Sequence, residues 1–212
     1  MNYFELINKC LMELNYQRCK EFANLSKNDH SKLKNIINVI NSEVCSFDNW
    51  NFLLRKKTLT LPKNSGEVEN TIPGRINSLV IDKIKYSFVE DYDRFLMNTE
   101  SANTYSVFND KILFPQFCED KPVDITYYTN NFAKDADGND IQSMSAENDK
   151  PLIPEIFAEP ILVYGACMRF KGNPEYTKFN YWYSMYKTAL ATMRSKIATS
   201  ANATPTIKLY RG

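Results

Sequence analysis

The sequence holds a single histidine, His30, no cysteine pair at CxxC spacing and no glycine-rich phosphate loop. Each shortage closes off a class of chemistry. His30 sits beside Asp29 in a polar connection with no serine or cysteine nucleophile motif accompanying it. It is expected to serve as a surface or capping residue, because general-base catalysis needs a positioned partner. The cysteines, Cys10, Cys19, Cys45, Cys118 and Cys167, are odd in number, which argues against a disulfide framework and a zinc ribbon alike. They are expected to be buried free thiols, packing as small hydrophobes. No run approaches the roughly 18 apolar residues that cross a bilayer. The opening MNYFELINKCLMELN carries acids and asparagines where a signal peptide has a basic head and a clean apolar run. Synthesis in the cytoplasm, with no membrane partner, is the expectation.

What is present is apolar and aromatic. Of 212 residues, 43% are hydrophobic and 13% aromatic, ample for a packed core. The net charge of +1 gives no bulk field for gripping nucleic acid, but its distribution is uneven. Between Lys134 and Glu159 acids dominate: Asp135, Asp137, Asp140, Glu147, Asp149, Glu155 and Glu159. After Glu175 no acid appears, and the segment carries Lys178, Lys187, Arg194, Lys196, Lys208 and Arg211. DADGND, from Asp135 to Asp140, resembles the opening of a calcium loop. Its glycine stands at the fourth position and Ala146 occupies the twelfth, where a bidentate Glu belongs, so a loop tip is expected and no metal or cofactor is assigned. The aromatic and basic string KFNYWYSMYK puts Phe179, Trp182, Tyr183 and Tyr186 on one helical face, the pattern of a core stripe or helix seam more than of a base-stacking surface.

Periodicity predicts an α+β, mainly α fold: an N-terminal helix pair and two C-terminal helices in a bundle, a small central antiparallel sheet and an extended C-terminal arm. The helices are expected at about 2–15, 31–48, 160–171 and 174–199, and the sheet within about 58–128, all in one domain over 1–200. Asn173, Pro174 and Glu175 form the start signal for the last helix, and Asn109-Asp110 a tight turn between strands. A short helix near Val89 to Met97 is expected to turn Tyr92, Phe95 and Leu96 inward. Residues 201–212 are too short and open to fold alone, and read as an arm.

The order of elements carries a resemblance. YSVFNDKILFPQF followed by VDITYYTN, then PLIPEIFAEPILVYGACMRF and a long helix with a central Tyr, resembles the head-to-tail adaptor (tail accessory or ring protein) family of short-tailed bacteriophages. The matching positions are Val107, Asn109, Ile112, Phe114, Pro115, Ile125, Tyr127, Tyr128, Ile153, Pro154, Leu162, Val163, Ala166, Tyr186 and Leu190. The Asn- and Lys-rich composition is similar to phages with AT-rich genomes, the crAss-like group among them. The resemblance implies a non-enzymatic virion protein at the capsid–tail junction. It implies a homo-oligomeric, dodecameric ring below the portal protein, receiving downstream tail or ring proteins and helping to retain packaged DNA, which basic residues lining the channel would touch non-specifically. It assigns portal binding to the arm, through Thr204, Pro205, Ile207, Lys208, Leu209, Tyr210 and Arg211. Charge polarity adds a subunit interface in which Lys187 and Arg194 meet Asp137, Asp140 and Glu147 of the next copy, as heterologous ring contacts permit, or failing that meet acids on the portal. Pro160 within a helix and the long polar loop 130–150 depart from the family pattern. The rival expectations are a cell-wall glycan hydrolase, with carboxylates such as Glu13, Glu21 or Glu43, and a nucleic-acid-binding helical domain.

Overall fold

The structure, a computed structural model, describes residues 1–97 and 103–198. In chain order the elements are α1 (Tyr3–Glu13), α2 (Asn28–Phe47), β1 (Leu54–Leu61), β2 (Glu67–Glu69), β3 (Gly74–Ile81), β4 (Ile84–Phe88), α3 (Tyr92–Met97), β5 (Thr104–Phe108), β6 (Lys111–Leu113) and β7 (Lys121–Thr129). They continue with β8 (Ala133–Lys134), β9 (Asp140–Ile141), β10 (Lys150–Pro151), α4 (Glu155–Ala158), α5 (Tyr164–Lys171) and α6 (Phe179–Ile197). They divide into two compact units. Unit 1 comprises Met1–Leu53 and Asn131–Gly212, and unit 2 is the intervening Leu54–Asn130.

Unit 2 overturns the expectation of a mainly helical bundle with a small antiparallel sheet. Its seven strands form one mixed sheet in the order β1-β7-β3-β4-β5-β6-β2, curled until it is nearly a barrel. β4 and β5 run parallel, joined by the crossover that contains α3, and every other neighbouring pair is antiparallel. The full length of β1 is hidden in the sequence because its half-buried positions include Arg55 and Lys57 while Leu54 is exposed: LRKKTLTL is an eight-residue strand alternating exposed and half-buried. Two of the hairpins turn on consecutive left-handed residues, Asp82-Lys83 and Asn109-Asp110, whose positive φ suits a two-residue turn that matches strand twist. The inward set, Leu61, Leu79, Ile81, Tyr86, Tyr105, Ile112, Phe114, Val123 and Ile125, fills the interior. Gly74 opens β3 where a Cβ would stand 2.0 Å from the Tyr128 carbonyl oxygen and 2.9 Å from Thr129 Cα, so only glycine fits.

The end strand β2 is blunted from within. Ser65 Oγ donates to the Glu67 carbonyl at 2.8 Å and accepts from the Glu67 amide at 3.2 Å, while the Thr71 amide donates to the Glu69 carbonyl at 3.1 Å. Groups that could pair with a foreign strand are thereby occupied. Lys57 of β1 spans to Thr71, 2.9 Å from both its carbonyl and hydroxyl oxygens, drawing the two ends of the sheet together.

Unit 1 is helical, with a three-stranded addition, β10-β8-β9, in the loop expected to be open. Asn2 caps α1 by accepting from the Glu5 amide at 2.9 Å, and Glu5 returns a bond to the Asn2 amide at 2.8 Å, a reciprocal capping box. α2 starts at Asn28, where the buried His30 accepts from the Lys27 amide at 3.4 Å, the capping role foreseen for it. α4 and α5 are joined without a break by a π-helical stretch, Glu159–Val163. Pro160 lies in that stretch, where the wider turn accommodates a residue with no amide hydrogen. The helix therefore reaches back to Glu155 rather than starting at 160. α6 begins at Phe179, later than expected, because Asn173 forms a separate turn, accepting from the Glu175 amide at 2.9 Å.

Candidate interaction surfaces

A furrow crosses unit 1. α2 and α6 each pack on α5, which forms the floor between them. The walls run in the same direction: Ile40 and Glu43 lie across from Tyr186, Asp48 from Arg194, and Trp50 bridges Ala198. Between Ile40 and Phe179 a pocket of about 440 Å³ has Ile40, Met168, Phe179, Tyr183 and Tyr186 as its apolar lining. Gly165 makes this depth possible. A Cβ there would meet the Tyr186 ring at 3.1 Å and Ile40 Cδ1 at 3.3 Å. Over the floor Arg169 grips Glu43 with two bonds of 3.0 and 2.8 Å. The Glu43 carboxylate holds Arg169 still more firmly protonated, and burial followed by the nearby Glu43 charge pushes the Tyr186 phenol up. At the other end Arg194 bonds Asp48 at 2.8 Å and covers the Phe47 ring at 5.5 Å, yet Phe47 stays 58% exposed.

The helical stripe expected for α6 is narrower than its sequence suggests. Trp182, Ala189 and Met193 are buried, Tyr186 and Phe179 half-buried, and Tyr183 exposed. Trp182 donates from Nε1 to Glu13 at 3.0 Å and stacks on Tyr176, so its face belongs to the core. Tyr183 and the half-buried side chains line the furrow instead. Burial also divides the cysteines: Cys10, Cys45 and Cys167 are buried, Cys19 partly and Cys118 not at all.

Of the charged residues expected at a subunit interface, Lys187 is exposed and lies over the Tyr183 ring at 5.3 Å. Arg194 already has Asp48 as a carboxylate partner in its own chain. Asp137 and Glu147 are exposed and Asp140 is half-buried in β9. Asp135 spends its carboxylate on the loop itself, accepting from the amides of Asp137 and Asn139 at 3.0 and 2.8 Å and from the Asn139 side chain at 2.9 Å. The loop is bound to the start of unit 1. Tyr3 and Phe4 amides donate to the carbonyls of Asp149 and Glu147 at 2.7 and 3.3 Å, and Asn38 exchanges bonds of 2.8 and 3.1 Å with Met144. α6 is fastened elsewhere, at Glu13 and Asp48. The arm residues Thr204, Pro205, Ile207, Lys208, Leu209, Tyr210 and Arg211 lie outside the described residues.

Unit 2 carries a surface that periodicity did not reveal. α3 buries none of its residues, and Leu96 and Met97 are exposed where Leu96 was expected to point inward. Tyr92 stacks on Phe108 at 4.4 Å between centroids, and Phe88 packs on Tyr105 at 5.4 Å. Phe88 and Phe108 remain largely open to solvent.

No described helix is long and apolar enough to cross a membrane. No family model matches the chain, and no curated protein matches it.

Proposed function

We propose that this chain is a structural subunit of a ring that joins a phage capsid, at its portal, to the tail, with assembly in place of catalysis. The observation that supports this reading most directly is the placement of opposite charge on unit 1. The exposed acids Asp137 and Glu147 belong to a loop fastened to the first turn of α1 and to Asn38. The exposed Lys187 belongs to an acid-free helix fastened to Glu13 and Asp48. A heterologous contact, in which one surface of each copy meets a different surface of the next, needs two such unlike places on one subunit. Arg194 contributes to that contact only through the face its bond to Asp48 leaves open. The arm, residues 201–212, reaches the portal, and a dodecamer is the expected copy number.

Native mass spectrometry and light scattering, with and without a portal protein, test the reading. The chain should form a closed ring or join one on the portal. Lys187→Glu should weaken that association, and Asp137→Lys with Glu147→Lys in the same chain should restore it. A chain that stays monomeric at every concentration and ignores the portal overturns the proposal.

A further inference from the structure

α6, one wall of the furrow, carries the described chain to Ala198, and the apolar lining of the furrow is matched by the sequence that follows. Ala198 is held to Trp50 at one end, next to the exposed Phe47 and to Arg194. From there the centre of the furrow at Tyr186 is about 18 Å back along α6, and Phe179 about 28 Å, at ~1.5 Å per residue. An extended chain covers that second distance in roughly nine residues at ~3.3 Å each. Counting from Ala198, nine residues reach Ile207, and Leu209 and Tyr210 follow it. The segment TIKLY alternates apolar and polar side chains, so Ile207 and Leu209 share one face.

We propose that residues 204–211 fold back along this furrow in their own chain, seating Ile207 and Leu209 against Phe179, Met168 and Tyr183. The bound segment covers the apolar groove, with Lys208 on the outer, solvent side. Intramolecular docking is favoured because a short connection holds the segment at a high effective concentration near the groove. The furrow then acts as a seat for the arm in a free subunit, and a stronger partner must displace it. This inference goes beyond the ring reading and does not depend on it, since neither a ring nor a portal takes part in the test.

Trypsin cuts after Lys208 and Arg211, so cleavage rate in the full-length protein reports whether the segment is seated. Tyr183→Ser removes an exposed ring from the furrow and Ile207→Ser with Leu209→Ser removes the anchors without placing an acid beside the cleaved bond, both at positions that should leave folding intact. Wild-type cleavage after Lys208 should be about tenfold slower than in either variant. In the anchor variant, amide exchange across the furrow-facing parts of α2 and α6 should be faster than in the wild type. Equal cleavage in all three proteins overturns the proposal. So does protection that appears only as protein concentration rises, because the segment would then occupy a second copy.

Discussion

The two units solve the same problem of burial with different kinds of bond. Unit 2 repeats one device: ladder hydrogen bonds and an alternating interior, with each strand depending on its neighbours. Unit 1 depends on individual side chains that tie segments far apart in sequence. Asn41 donates to the Phe132 carbonyl at 2.9 Å, Tyr3 to the Lys34 carbonyl at 2.9 Å and Trp182 to Glu13 at 3.0 Å. A periodic unit spreads the effect of a surface change over many equivalent bonds. A unit held by single ties concentrates it.

Trp182→Ala is the strongest way to challenge that contrast. It empties a fully buried indole site, leaves Glu13 without its donor and removes the stack on Tyr176. The expected loss is about 3–5 kcal/mol, a large share of a typical stability of roughly 5–15 kcal/mol. Amide exchange should rise throughout α1, α5 and α6. An unchanged melting temperature would show that α6 is held by something other than this tie.

The counterpart in unit 2 is Gly74→Ala. The new methyl collides with backbone atoms of β7 that cannot swing away, and the strand start must shift. Overpacking of this kind costs roughly 1–3 kcal/mol. The damage should spread along β3 and β7, visible as faster exchange from Arg75 to Ile81 and in the paired residues of β7. Damage confined to Gly74 would mean that the ladder is less cooperative than its register implies.

What the sequence disclosed follows the same division. α1 and α2 were legible because a wide apolar stripe faces the core, as were strands at Thr104–Phe108 and the turn at Asn109-Asp110, where the chemistry is local. The barrel-like closure was not legible, because it depends on which strands pair across long separations, such as β1 with β7. The start of α6 was misplaced for a related reason: Asn173 and Pro174 are as suitable for an isolated turn as for a helix start, and only packing decides between them. For the proposed interface, charge along the chain singled out Lys187, Arg194, Asp137, Asp140 and Glu147, but it could not show that Arg194 is engaged by Asp48. The furrow escaped notice because it is built from one flank of a stripe whose other flank is core. Its depth rests on Gly165, a residue with no hydrophobic signal of its own.

The smallest expected effect lies on the outer face of the barrel-like sheet. Asp124 of β7 accepts from Thr58 at 2.7 Å and from Lys56 at 3.0 Å, both on β1, in cross-strand register. The Thr58 hydroxyl, and then Lys56, hold its carboxyl below the usual carboxylate range. A folded-state value below the unfolded one means that the unfolded chain takes up the proton more readily. The contribution to stability is therefore complete above the ordinary Asp value of about 3.9 and is lost as pH falls through the lowered value. Because Asp124 is solvent-exposed, water and salt screen most of the pairing. Asp124→Asn should leave the melting temperature at pH 7 almost unchanged and make its decline between pH 5 and pH 2 slightly shallower. A steep loss at pH 7 would show that unit 2, too, depends on a single tie, and the contrast between the units would fail on its periodic side.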